Sequence, residues 1–176
     1  MPLSFLIFGI AACATTTRIA SDYERGVDFS KYQTYQLLKH KPDFSYGMNP
    51  INQQRIERAI QREMMALGYK VSPNPDLIVA CFVKEKLIRQ EDHYYQGYYR
   101  GWGFPIWVDI NHYKEGTLII DLIDRENKQV VWHGAATERV SDDMRNVEEN
   151  INKTVQALFE QYYEDSHQAT GVAVVK

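Results

Sequence analysis

The sequence has few of the residues that cross-link a small fold. Only two of its 176 residues are cysteine, Cys13 and Cys81, and no CxxC motif occurs. If Cys13 carries a modification, Cys81 has no partner within the chain, and an internal disulfide framework is excluded. Cys81 lies inside the apolar residues 77–83, which predicts a buried, unreactive thiol.

An excess of basic charge is also missing. The formal net charge is −3 at pH 7, and basic residues such as Arg55, Arg58 and Lys84 alternate with acidic ones. Nonspecific nucleic-acid binding requires a basic face. We therefore expect no nucleic-acid partner.

No apolar run is long enough to cross a bilayer as a helix. Residues 3–14 are apolar apart from Ser4, and as a helix they span about 18 Å, against about 30 Å of hydrocarbon core. That length is typical of a signal peptide. The alternative is a buried N-terminal strand or helix, which the small polar residues after Cys13 disfavour.

The segment Ile10-Ala11-Ala12-Cys13 resembles the lipobox of bacterial lipoproteins, although no Lys or Arg precedes the apolar run. In a lipobox, the cysteine thiol carries a diacylglyceryl group and the chain is cut just before it. We expect a signal peptide over residues 1–12 and a lipidated Cys13 with its tether over residues 13–17. Ala14 resembles the sorting pattern of outer-membrane lipoproteins that face the periplasm.

Motifs of catalysis and of metal binding are absent from the sequence. It contains no GxSxG, no P-loop and no GxGxxG after a strand, and none of its five histidines pairs at helical zinc spacing. We therefore predict no catalytic residue, no metal ligand and no cofactor. One alternative remains, since His93 and His112 flank an aromatic stretch and could bind a metal together with Asp92 or Asp109. A cleft that holds His93 or His112 beside a carboxylate would favour a hydrolase acting on envelope polymer.

Two segments have the apolar periodicity of amphipathic helices. The first begins at Asn49-Pro50 and ends at Gly68, because Asn caps a helix start, Pro fits the first helical position and Gly fits the end. The second follows Ser141. The apolar stripes contain Ile56, Ala59, Ile60, Met64 and Leu67 in the first helix, and Val147, Ile151, Val155, Leu158 and Tyr162 in the second.

Five β-rich runs surround these helices, at residues 18–23, 32–38, 77–84, 117–124 and 129–138. The last two form a hairpin with one face carrying Leu118, Ile120 and Leu122 and the other strand carrying Val130, Trp132 and Ala136. The prediction is an α+β fold, a mostly antiparallel sheet of about five strands with two helices packed on one face. It forms one domain over residues 18–163, followed by a tail over residues 164–176.

Residues 93–107, the aromatic insert, alternate glycine with aromatic residues without a stable period. Such a composition offers stiff ring surfaces on an adaptable backbone, as in many binding loops. The candidate binding residues are Tyr94, Tyr95, Tyr98, Tyr99, Trp102 and Trp107. The alternative is that these rings pack back onto the sheet.

Five short motifs carry a resemblance to a known family. They are Asp-Phe-Ser-Lys-Tyr-x-Thr-Tyr at residues 28–35, Leu-Gly-Tyr at 67–69, Pro-Asp-Leu at 75–77, Glu-Gly-Thr-Leu at 115–118 and Val-Trp-His-Gly at 131–134. Together they resemble the bacterial lipoproteins with domain of unknown function 4136. The resemblance implies the fold, an envelope location and a lipid anchor, but no activity. We expect a non-catalytic lipoprotein that binds an envelope protein or glycan through the aromatic insert.

Overall fold

The computed structural model describes residues 17–38, 49–90, 111–139 and 144–171. For residues 85, 87–90, 111–114 and 144 it describes the backbone alone. The predicted signal peptide, Cys13 and the aromatic insert lie outside the described residues.

Six strands form one sheet in the order β1-β6-β5-β4-β2-β3. Their bounds are Arg18–Tyr23 (β1), Thr34–Leu37 (β2), Lys70–Val71 (β3), Leu77–Gln90 (β4), Asn111–Asp124 (β5) and Gln129–Arg139 (β6). The α+β class is therefore confirmed. The sheet is mixed, because β2 pairs in parallel with both β3 and β4 while the other pairs are antiparallel. The helix between β2 and β3 returns the chain to the same end of the sheet, as parallel pairing requires.

Helix α1, Pro50–Ala66, begins and ends as its sequence predicts. The Asn49 side chain accepts a hydrogen bond of 2.9 Å from the Asn52 N–H, and Pro50 occupies the first turn. Gly68 follows the helix with φ of +89°, a conformation that only glycine adopts without strain.

Helix α2, Val147–Ala169, lies on the same face of the sheet and runs in the same direction as α1. Arg55 forms an ion pair with Glu148 near the start of both helices, and Arg62 donates a 2.9 Å hydrogen bond to Asn152 one turn later. Leu67 and Tyr163 lie side by side near their ends. Both helices therefore point their C-terminal ends toward the same end of the sheet.

Helix α2 continues past the predicted domain boundary at Tyr163, as far as Ala169. The apolar stripe ends at Tyr162, and the polar residues after it predict an end. However, the Trp132 indole N–H donates a 2.9 Å hydrogen bond to Asp165, whose carboxylate is buried. The partner that holds this last turn lies on β6, 33 residues away in sequence.

The core lies between the helices and the inner face of the sheet. Trp132 is fully buried there, and Cys81 is buried as its apolar surroundings predict. The Trp132 ring lies over Gly134, where a Cβ atom would overlap with the ring. The other buried strand residues of the core are Tyr35, Leu77, Val79, Leu118, Ile120, Leu122, Val131 and Ala136.

One residue of the predicted hairpin lies on the opposite face of the sheet from the one that the sequence pattern predicts. Leu122 pairs with Trp132, but Ile123 pairs with Val130, so β6 has one extra residue at this point. This β-bulge shifts the alternation of side chains. Val131 is consequently buried, whereas Val130, which the pattern assigns to the core face, is 46% exposed.

Strands β4 and β5 pair along their whole length, from Leu77↔Asp124 to Gln90↔Asn111. β2 accompanies β4 only as far as Leu37↔Val79, and β6 accompanies β5 only from Arg139↔Glu115. Within the described ranges, residues 87–90 and 111–114 therefore extend past the rest of the sheet. We call them the β4–β5 ribbon. The helices that the structure describes include none that is both long and apolar enough to cross a bilayer.

Candidate functional site

A groove of about 950 Å³ opens at the end of the sheet opposite the β4–β5 ribbon. Three segments line it: the β1–β2 connection at residues 26–34, the end of α1 at residues 67–70, and the last two turns of α2 at residues 162–170. They meet because β1 ends, β2 begins and both helices end at this end of the sheet.

Two tyrosines form the floor of the groove. The hydroxyl groups of Tyr69 and Tyr162 are 2.5 Å apart and share a hydrogen bond. Burial raises the pKa of both phenols, more strongly for Tyr162. Behind them the Tyr162 ring packs edge-to-face on Trp132 at 5.3 Å and on Phe29 at 5.7 Å between centroids. The floor is therefore neutral, and the aromatic core holds it rigidly.

The first wall is a 3-10 turn, Phe29–Lys31, with Asp28 as its cap. Asp28 accepts hydrogen bonds from both the backbone N–H and the hydroxyl of Ser30. These two bonds lower the pKa of Asp28. The turn projects Phe29 into the core, which fixes the wall to the floor.

The wall continues into β2, where Asp76 holds it in place. One carboxylate oxygen of Asp76 accepts hydrogen bonds of 2.8–2.9 Å from the Gln33 N–H, the Thr34 N–H and the Thr34 hydroxyl. These hydrogen bonds lower the pKa of Asp76, and the bond from the Gln33 N–H has the largest effect.

Behind the wall is a buried carboxylate, Asp124, which is 4% exposed. It accepts hydrogen bonds from the Tyr32 hydroxyl at 2.8 Å, the Lys31 ammonium at 3.1 Å and the Glu126 and Asn127 backbone N–H groups at 2.9 and 3.0 Å. Burial by itself would raise the pKa of Asp124, but these donors outweigh it and hold the pKa well below its usual range. Burial and the bond to Asp124 raise the pKa of Tyr32 to about 12.

The opposite wall carries a serine and a histidine side by side on α2. The Ser166 hydroxyl donates to the Tyr163 carbonyl at 3.0 Å, and His167 Nδ1 lies 2.7 Å from the same oxygen. A carbonyl has no hydrogen to donate, so Nδ1 carries the proton. In this geometry His167 Nδ1 cannot accept the proton of Ser166, and the pair does not form an activated nucleophile.

The binding residues that the sequence predicts are not among those the structure describes. Cys13 and the six aromatic residues of the insert, Tyr94, Tyr95, Tyr98, Tyr99, Trp102 and Trp107, lie outside the described residues, and their roles stay predictions. The same holds for His93, Asp92 and Asp109, and only the backbone of His112 is described.

A different histidine–carboxylate contact occurs on the outer face of the sheet. His133 Nδ1 lies 2.6 Å from Asp121 Oδ1 across β5 and β6. Neither residue lines the groove, and the pair stands on a strand surface rather than in a cleft. Over residues 17–38, 49–90, 111–139 and 144–171, no three His, Cys, Asp or Glu side chains are placed to hold a metal ion.

Two of the sequence motifs meet at the groove. Residues 28–35 supply its first wall, and Leu67, Gly68 and Tyr69 supply its floor and edge. The family model described as domain of unknown function (DUF4136) matches residues 19–162. The chain belongs to this family. Every groove segment except the last turns of α2 falls inside the DUF4136 match.

Solved structures resemble this DUF4136 domain in fold. A PDZ domain protein from Parabacteroides distasonis has a TM-score of 0.58 at 18% identity, over 84% of this chain and 37% of that chain. The chain therefore spans little more than a third of that protein. Among curated proteins, none matches the sequence significantly.

Two further structures are similar at lower scores. The PelC dodecamer from Paraburkholderia phytofirmans has a TM-score of 0.48 at 12% identity, over 90% of this chain and 100% of that chain. A homologue of a neuraminyllactose-binding hemagglutinin from Helicobacter pylori has a TM-score of 0.41 at 12% identity, over 85% and 92%. Scores this low support no inference about the DUF4136 domain.

Sequence reasoning missed the groove, although signals for it were present. Asp28, Gly68 and Tyr69 belong to the family motifs, but no binding role was predicted for them. Asp28 and Gly68 shape the backbone beside the groove, the first through its bonds to Ser30 and the second through its positive φ. Tyr69 lines the groove and is hydrogen-bonded to Tyr162. His167 gave no signal, because it lies beyond the predicted end of the domain.

Proposed function

We propose that the chain is a lipid-anchored module of the bacterial cell envelope that binds another envelope component and catalyses no reaction. The DUF4136 family gives no activity, and the lipobox-like segment ending at Cys13 supports the anchor. The groove is the surface that the described residues offer to a ligand.

The observation that carries the binding role is the chemistry of the groove. Tyr69 and Tyr162 line its floor with their hydroxyl groups hydrogen-bonded to each other, and its outer wall presents the Tyr163 ring, 42% exposed, with the His167 ring tilted against it at 4.0 Å between centroids. Pockets of several hundred Å³ that combine ring faces with a few fixed polar groups are typical of ligand recognition. The Ser166 hydroxyl and His167 Nδ1 are both bonded to the Tyr163 carbonyl, so this wall can contact a ligand but has no activated nucleophile.

The ligand class that fits best is a glycan segment. Sugar rings present C–H faces that pack on aromatic rings and hydroxyl groups that hydrogen-bond to phenols and amides. A groove open to solvent accepts a segment of a longer chain. An envelope protein is the other partner that the sequence predicts, and the experiment separates the two.

The binding role is tested by photo-crosslinking in the native membrane. A benzophenone amino acid replaces Tyr163 in the groove, Tyr98 in the aromatic insert, or Met65, which is 65% exposed on α1 outside the groove. We expect adducts at Tyr163 and not at Met65. Sensitivity of the adduct to glycosidase indicates a glycan, and sensitivity to protease indicates a protein.

Each position makes a separate point. Adducts at Tyr98 would support the predicted role of the insert. Equal adducts at Tyr163 and Met65 would mean that the groove has no special affinity. The absence of adducts at both Tyr163 and Tyr98 would contradict the proposed binding function.

The anchor has its own test. Cys13→Ala is expected to abolish lipid attachment and cleavage, because the apolar run before it is too short to hold the protein in a bilayer as a helix. Intact-mass measurement of the membrane fraction checks this. A native N-terminus before residue 13 without added lipid mass would exclude the lipoprotein assignment.

A further inference from the structure

The direction of β1 determines where a lipid anchor lies relative to the groove. Arg18, the first residue of β1, pairs with Thr137, and Tyr23, its last residue, pairs with Trp132 above the groove floor. The chain then enters the groove wall at Gly26. The N-terminal end of β1 therefore points away from the groove and toward the β4–β5 ribbon.

The tether between Cys13 and Arg18 is short. Five residues span at most about 18 Å when fully extended, whatever path they take. The six residues of β1 span about 17 Å. A tether folded back along β1 would reach only the level of Tyr23, which precedes the first groove residue. If it is extended along the direction of β1, the tether is about as long as the part of β5 from Thr117 to Asn111 at the ribbon end.

Exposed basic side chains lie at the ribbon end. Lys84 and Lys86 are exposed on β4, and Arg18 is exposed at the start of β1, where it pairs with Glu115 at 2.9 Å. Two carboxylates on this part of the sheet, Glu115 and Glu138, are partly buried, whereas Glu148 and Glu149 at the start of α2 are exposed and paired with Arg55 and Lys153. Exposed basic side chains are attracted to anionic lipid headgroups.

We propose that the ribbon end of the domain lies against the bilayer that holds Cys13, so that the groove opens away from the membrane. The proposal rests on the lipid anchor of the proposed function and adds an orientation to it. In this proposal, the ribbon end of the domain contacts the surface of a phospholipid bilayer.

Two labelling positions test the orientation in the intact lipidated chain. Lys86→Cys lies on the ribbon side, and Arg125→Cys lies in the turn after β5 at the groove end; both side chains are exposed. Lys86 pairs with Glu115, ten residues before Arg125, so the two levels differ by about 33 Å. Cys81 does not compete for the label, because burial raises the pKa of its thiol to about 11.

Each variant is labelled with a fluorophore and reconstituted into vesicles of phosphatidylethanolamine and phosphatidylglycerol that carry a headgroup-attached nitroxide quencher. We expect several-fold stronger quenching at position 86 than at position 125. The matched control is the Cys13→Ser chain with the same labels, for which neither position is quenched.

The outcomes separate the two proposals. Quenching at position 125 equal to or above that at position 86 in the lipidated chain overturns the orientation and leaves the anchor intact. If intact mass shows that the purified chain carries no lipid, the anchor fails and the orientation fails with it.

Discussion

The two ends of the sheet are held together by different means. At the groove end, strands, both helix ends and the β1–β2 connection converge on Trp132, Tyr162 and the buried carboxylates of Asp124 and Asp165. At the ribbon end, β4 and β5 continue past the other strands that the structure describes, and the side-chain contacts include an exposed ion pair, Arg18–Glu115, and hydrogen bonds such as Thr154–Glu138.

Because of this difference, we expect the groove end to contribute most of the folding free energy, whereas the ribbon end mainly presents exposed surface. Substitutions of the buried residues at the groove end remove core contacts and are expected to unfold the domain before they report on binding, in contrast to substitutions of the exposed Tyr163. Substitutions at the ribbon end change surface chemistry at little cost in folding free energy. Four substitutions measure how far this contrast holds.

The largest effect is expected for Trp132→Ala. The substitution removes a fully buried indole and leaves the buried Asp165 with the Gln161 amide but without the indole donor, so we expect the free energy of unfolding to fall by about 3–5 kcal/mol. Urea denaturation followed by circular dichroism measures it. A loss below about 1 kcal/mol, the ordinary cost of a point mutation, would show that the groove end is not the centre of stability.

Asp124→Asn is expected to lower the free energy of unfolding by about 1.5–3 kcal/mol, since the donors around the carboxylate lose a charged acceptor. The pKa of Asp124 lies below its unfolded value. Its contribution is therefore present above the unfolded pKa of about 4 and is lost as pH falls toward the folded pKa.

Acid titration of stability distinguishes this carboxylate from its neighbours. The wild type should lose stability between about pH 5 and the folded pKa of Asp124, and Asp124→Asn should lose less over the same range. Asp121→Asn on the open sheet face is the matched control. An unchanged acid profile in Asp124→Asn would mean that Asp124 is not a main source of the acid sensitivity.

Gly134→Ala tests the contact between the Trp132 ring and Gly134, which lies two residues further along the same strand. A methyl group at this position overlaps with the indole ring, and overpacking of a core costs about 1–3 kcal/mol. Thermal unfolding checks the loss. The double substitution Gly134→Ala with Trp132→Phe should recover part of it relative to the sum of the single changes, because the smaller ring frees space.

The smallest effect is expected for Arg18→Ala at the ribbon end. Its ion pair with Glu115 is exposed, with 68% of the Arg18 side chain in solvent, and such pairs contribute about 0.2–1 kcal/mol. The unfolding midpoint should move little. A loss as large as that of Asp124→Asn would remove the contrast between the two ends.

Local patterns predicted the elements of this fold well. Asn49, Pro50 and Gly68 mark the limits of α1 because each residue satisfies a local requirement of the backbone. Alternation of apolar residues placed Leu118, Ile120 and Leu122 on the core face. The family resemblance, confirmed over residues 19–162, likewise follows from short motifs.

Features that depend on distant contacts were not predictable in the same way. The end of α2 depends on Asp165 meeting an indole 33 residues away. The exposure of Val130 depends on a bulge that only the pairing with β5 reveals. The groove depends on three segments converging, and none of them carries a pattern for a shared cavity.

The parallel course of α1 and α2 gives the domain an electrical axis. Peptide dipoles in antiparallel helices largely cancel, but here they add, with about half a negative charge at each C-terminal end. Both of these ends border the groove. A ligand that presents a protonated amine to the groove gains about 0.3–1 kcal/mol from each helix. A phosphate or sulfate group in the same place is disfavoured by a similar amount, so neutral and amino sugars should be preferred over acidic ones.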